Sequence, residues 1–154
     1  MSLQEQLRNL AQTGLLKPHT PSREELVWHL ESAGRFLTDA WRQENSLESR
    51  FNMGNSAGHA LLMAAIRLHG YRPSTDKGLR SVLYQLLDSL LPAAAGAKHT
   101  LARVHNLRNR AEYDGDPIDI TQGLVEDLLA CVNDVREEVV LEFGKWEKAG
   151  GGSR

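Results

Sequence analysis

Apolar residues recur every three to four positions along most of this chain, the period of a helix with one buried face. Leu26, Leu30, Ala33, Leu37 and Trp41 mark a first long helix over about 22–44. Ala57, Leu61, Ala64, Ile66 and Leu68 mark a second, running to about 70. Leu79, Val82, Leu83, Leu86, Leu87 and Leu90 predict a third over about 78–91. Leu101, Val104, Leu107 and Ala111 form the stripe of a fourth, ending near Tyr113, and Leu124, Leu128, Val132, Val135, Val139, Phe143 and Trp146 that of a fifth over about 121–147. No stretch shows convincing strand alternation. The predicted fold is all-α, an antiparallel up-and-down bundle of four to five helices.

Polar punctuation agrees with those limits. Ser22 is an expected N-cap, with Glu24 and Glu25 in the first turn and capping-box spacing to Glu25. Ser46 suits the next helix, and Asp119 or Thr121 the last. Gly54, Gly58, Ala60, Ala64 and Ala65 give the second helix a small face that permits close helix approach. Residues 1–21 read as a short helix with Leu3, Leu7 and Leu10 on one side, then a linker broken by Pro18 and Pro21; residues 22–147 are the bundle, and 148–154 a disordered tail.

Composition narrows the picture. An apolar fraction of 41% with 25% charged residues is that of a globular protein, and a net charge of −2 restricts any nucleic-acid site to a local patch. The one cysteine, Cys131, falls in an apolar helical pattern and reads as core. No apolar run reaches the roughly 18 residues of a membrane span. The N-terminus MSLQEQLRNL lacks a secretory apolar region, so the expected location is cytoplasmic. The six histidines include no pair three or four apart, so neither a metal nor a cofactor is expected.

Charge is unevenly spread. No acidic residue occurs from Ala93 to Ala111, a run holding Lys98, Arg103, Arg108 and Arg110; Glu112, Asp114 and Asp116 follow at once. Arg108 and Glu112 are four apart, the spacing of an intrahelical ion pair. Arg108 is therefore either a cleft residue or half of a structural pair. Arg103 and Arg110, seven apart, share a face that is solvated or phosphate-facing. Asn109 is either functional or an exposed helical polar residue. Tyr113 reads as closing the core at a helix end. Glu112, Asp114 and Asp116 read as turn and capping groups, and Asn55 and His59, four apart, either as satisfied buried polar residues or as groups turned toward the cleft.

The segment from Leu107 to Tyr113, LRNRAEY, with Asp114 after it, resembles the HEPN superfamily (higher eukaryotes and prokaryotes nucleotide-binding), whose small bacterial members often read LRNRADY there. Residues Phe51 to Ala60, FNMGNSAGHA, and His69 to Pro73, HGYRP, look like the family's second helix and its GYRP exit. The resemblance covers about 22–145. It implies a helical bundle that forms a homodimer, with the fourth-helix motifs of two subunits facing one cleft. Many HEPN proteins are metal-independent ribonucleases, often toxins or partners of a small nucleotidyltransferase, so RNA or a nucleotide, and a nucleotidyltransferase or antitoxin partner, are implied here. The family motif is Arg, a polar residue, several residues, then His. Arg108 and Asn109 match its first two positions. Tyr113 stands where the histidine would be, and no histidine follows Arg108.

Cutting RNA without a metal takes a base for the 2′-OH, a donor to the leaving oxygen and a cation on the phosphate. Arginine suits the phosphate, since its planar fork binds bidentately and stays charged. Asn109 can orient an oxygen. Tyrosine is a poor base at neutral pH but a good donor or stacking platform. The candidate site is thus Arg108, Asn109 and Tyr113, with Arg103, Arg110 and Lys98 as nucleic-acid contacts. It either cuts RNA or binds it without cutting. The competing reading is a non-catalytic helical module for protein–protein interaction.

Overall fold

The computed structural model describes residues 1–74 and 79–151, with backbone alone for Leu79, Arg80, Ser81 and Ala95. The chain folds as an all-α bundle with one small ribbon. Its helices are α1 (Leu3–Gln12), α2 (Arg23–Ala40), α3 (Leu47–Leu68), α4 (Leu79–Gln85), α5 (Leu87–Leu90), α6 (Lys98–Asn109) and α7 (Gln122–Lys148). A 3₁₀ stretch, Pro92–Ala97, leads into α6, and a π-helical turn, Arg110–Asp114, leads out of it.

The caps form where side-chain oxygens can take up orphan N–H groups. Ser22 Oγ accepts the Glu25 N–H at 3.2 Å, and Glu25 Oε1 accepts the Ser22 N–H at 3.2 Å, which completes the capping box. Ser46 caps α3 through the Ser49 N–H, and Thr121 caps α7 through the Leu124 N–H, each at 3.1 Å.

Connectivity sets the directions. Arg23 meets Glu147 and Gly34 lies against Arg136, so α2 and α7 are antiparallel. Gly54 lies against Leu128 and Leu129, and Gly58 against Val132, so α3 and α7 run parallel. That follows from strict alternation of α2, α3, α6 and α7. A Cβ built at Gly54 would come within 2.9 Å of the Cδ2 atoms of Leu128 and Leu129. The small face of α3 is what lets this parallel pair touch. Along the seam Ala57, Leu61, Leu128, Leu129 and Val132 are completely buried.

Several boundaries differ from the sequence reading. The short helix read within residues 1–21 spans Leu3–Gln12; it ends there because Gly14 takes φ +85° and a Schellman-type turn closes with Leu15 N–H on the Leu10 carbonyl at 3.0 Å. The expected linker then holds a strand, β1 (Leu16–Pro18), which pairs antiparallel with β2 (Tyr71–Pro73) in the register Leu16↔Pro73, Lys17↔Arg72, Pro18↔Tyr71. Strands of three residues are too short to alternate visibly, and Pro18 and Pro73 hide the signal further. The third predicted helix is split at Leu86 into α4 and α5. The expected loop at 74–78 lies, beyond Ser74, outside the described residues. At the C-terminus α7 includes Lys148, and Ala149 to Gly151 form a turn with Gly151 N–H on the Trp146 carbonyl at 2.9 Å; the rest of the expected tail, 152–154, lies outside the described residues.

Candidate functional site

The α6 end is built by a helix that changes pitch. Only Leu101, Val104 and His105 of α6 are buried, so a thin stripe holds it. After Asn109 the backbone widens into the π turn and stops at Gly115, whose φ of +70° favours glycine. The Asp116 N–H returns to the Arg110 carbonyl at 3.2 Å. The chain from Pro117 to Ile120 then folds back beside the start of α3.

This fold-back creates a cleft of about 570 Å³. Leu47, Phe51, Ile118 and Ile120 give it apolar walls, with Ala111 and Pro117 at one end. Glu48, Asn52, Arg108, Glu112 and Asp116 supply its polar groups. Arg108 forms the intrahelical pair offered for it, and it lines this cleft within the chain. It faces the cleft, and its Nε donates to Glu112 Oε1 at 3.0 Å. Among the described residues its buried Nη1 has no hydrogen-bond partner. The side chain is 23% exposed.

The other predicted residues go elsewhere. Asn109 is partly buried, and its Nδ2 lies 3.2 Å from Nε2 of His105, whose ring sits 5.2 Å from that of Tyr84. Tyr113 does not close the core. It is 82% exposed, because the π turn carries it past the last packed layer. Arg103 is exposed, and Arg110 is exposed with its Nε 3.8 Å from Asp116 Oδ2, a loose contact. Lys98 is paired with Asp88 at 3.1 Å. Arg108, Asn109 and Tyr113 thus differ in their partners: Arg108 pairs with Glu112, Asn109 lies against His105, and Tyr113 is exposed. Glu112 pairs with Arg108 and caps nothing, since the next helix is capped by Thr121.

Asn55 is buried and donates to the Phe51 carbonyl at 3.2 Å, a locally satisfied polar group. Cys131 is partly buried against the core, and burial pushes its thiol pKa up. Among the described residues no cluster of three His, Cys, Asp or Glu side chains could hold a metal, and no helix is long and apolar enough to cross a membrane.

Sequence reasoning missed Arg50. It is 1% exposed, with Nε donating to the Ala40 carbonyl at 2.7 Å and Nη1 to Gln122 Oε1 at 3.4 Å. One cation thereby ties the C-terminal end of α2, where the helix dipole is negative, to the start of α7. It also stabilises the frame of the cleft, being next to Phe51 and reaching the helix that follows Ile120. An arginine beside a run of small residues gave no cue to burial. Glu48 and Ile118 were missed for a different reason: they join the site only through a long-range contact.

Comparison with models of known protein families, with curated proteins and with solved structures finds no match to this chain.

Proposed function

We propose that this chain is a HEPN-like helical bundle that binds RNA along the outer side of α6 and its π turn, without cutting it. The observation that carries the reading is Tyr113, an aromatic ring 82% exposed in a segment that also holds the exposed Arg103 and Arg110. Single-stranded RNA is held by such a pairing of stacking ring and phosphate-binding cations. Arg103 and Arg110 are seven apart, which spaces two guanidinium groups along one face. Cleavage needs a base, a donor and a cation around one phosphate. Asn109 is engaged with His105 and Arg108 with Glu112, so both side chains are already committed to other partners. The homodimer, and a nucleotidyltransferase or antitoxin partner, belong to the same reading through the motif resemblance.

The test is binding and cleavage of a labelled single-stranded RNA in EDTA, with wild type, Arg108→Ala, Arg110→Ala and Tyr113→Ala side by side. Binding without cutting is expected, with log K falling against log salt at a slope of about −1 to −2, the value for two or so phosphate contacts. Tyr113→Ala should weaken binding by roughly tenfold, the loss of one stacked base. Cutting that vanishes in Arg108→Ala would replace this reading with a ribonuclease. If no variant and no wild type binds, the RNA reading falls. A protein-interaction module is then favoured by one feature of the cleft, its excess of carboxylates.

A further inference from the structure

The Arg108 cleft carries the opposite charge to the one its arginine suggests. Three carboxylates, Glu48, Glu112 and Asp116, line it against one guanidinium. Glu112 already matches that guanidinium at 3.0 Å. Asp116 has only the loose contact with Arg110 at 3.8 Å, and Glu48 has no ion pair among the described residues. The cleft therefore holds surplus negative charge above apolar walls formed by Phe51, Leu47, Ile118 and Ile120. A nucleic-acid backbone would be repelled from such a surface.

We infer that this cleft docks a basic segment of a partner protein, one that presents lysine or arginine beside aliphatic side chains. The aliphatic groups seat on the half-buried Leu47, Ile118 and Ile120, and the cationic tips reach Glu48 and Asp116. Arg108 does not offset that surplus, since its guanidinium is already matched by Glu112. Long basic side chains lie well across apolar surface, because their stems are hydrocarbon and only their tips need water or a counter-charge. The volume of about 570 Å³ accommodates a few side chains. This docking uses other side chains than the RNA reading, which uses Arg103, Arg110 and Tyr113, and the two meet at the contact of Asp116 with Arg110.

The experiment titrates the full chain into a fluorescein-labelled, amidated peptide of lysine and leucine, followed by anisotropy. The variants are Glu48→Lys with Asp116→Lys, and Asp134→Lys with Glu137→Lys on α7 as a control that changes the net charge equally. Saturable binding that falls tenfold or so in the cleft double variant and by less than twofold in the control supports the inference. Equal losses in both, no loss in the cleft double variant, or no saturable binding by the wild type overturns it. The four substituted carboxylates are exposed, and circular dichroism checks that each variant keeps its helices. A second measurement is the methyl NMR spectrum, in which the peptide should shift Ile118 and Ile120. Oligouridylate shifting those same methyls would overturn the inference in favour of RNA in the cleft. Tyr113→Ala separates the two readings, since it should weaken oligouridylate and leave the peptide unchanged.

Discussion

Replacing Gly54 with alanine asks how closely α3 and α7 are held. The new methyl would lie 2.9 Å from Cδ2 of both Leu128 and Leu129, and 3.2 Å from Cγ of Leu128. Both leucines are completely buried, so neither can swing toward solvent. Forcing one methyl into a packed seam costs about 1–3 kcal/mol. Alanine returns about 1 kcal/mol through its better helix propensity. The net expectation for Gly54→Ala is a loss of up to about 2 kcal/mol. Gly58, one turn on, gives the opposite sign. Its built Cβ meets only Val132 Cγ2 at 3.6 Å, an ordinary contact. Gly58→Ala should therefore gain about 0.5–1 kcal/mol. Urea unfolding followed by circular dichroism, at one fixed protein concentration, reads both. Thermal midpoints should move apart, by about 2–4 °C per kcal/mol for a chain of this size. If both variants are stabilised equally, the seam has slack at Gly54 and the packing argument is wrong.

Other substitutions test other levels of the structure. Ser22→Ala removes half of the capping box and should cost about 1 kcal/mol in the same unfolding assay; an unchanged midpoint would mean that water replaces the cap. Arg50→Met keeps the aliphatic stem but leaves the Ala40 carbonyl without its donor, for a loss of about 1–3 kcal/mol, and a raised midpoint would show that burying the cation was the larger cost. His29 titrates at about 4 rather than 6.5, chiefly because burial disfavours its charged form, with the nearby Arg67 adding to the shift and Glu25 opposing it. Below 6.5 the unfolded chain takes up a proton that the folded one refuses, so its contribution to stability falls as pH drops from 6.5 toward 4 and is flat above that window. The ring is only half shielded from water, so the loss expected is about 1–2 kcal/mol rather than the full linkage value. His29→Gln should flatten the pH profile in that range, and a profile identical to wild type would remove His29 as its source.

The helices were legible because each carries its signals locally. Ser22, Ser46 and Thr121 sit directly before apolar stripes, and a cap acts over three residues. Gly54 and Gly58 announced a close approach, though not which helix would make it. The ribbon joining Leu16–Pro18 to Tyr71–Pro73 was hidden because its partners are far apart and too short to show a period. Arg50 was hidden because charge normally reports exposure, and here a helix end supplies the compensation. The candidate site was legible as a segment and not as an arrangement. Sequence grouped Arg108, Asn109 and Tyr113; the structure commits Arg108 to Glu112 and Asn109 to His105 and leaves Tyr113 exposed. The carboxylate that decides the character of the cleft, Glu48, comes from another helix altogether.

The contact of Gly54 with Leu128 also bears on how the molecule opens and closes. It joins residues far apart in the chain, and the loop it closes contains α4, α5 and α6. Closing a loop of that length costs little more than closing a shorter one, so entropy does not prevent the seam from forming early. With α2, α3 and α7 assembled, α6 is left as an insert tied by three buried side chains and released at its end by a glycine. Amide hydrogens in α3 and α7 should then exchange only on global unfolding, while those near Arg110 exchange through local opening. Anything that binds the end of α6 works against that opening, and its grip would be felt as protection along the whole insert.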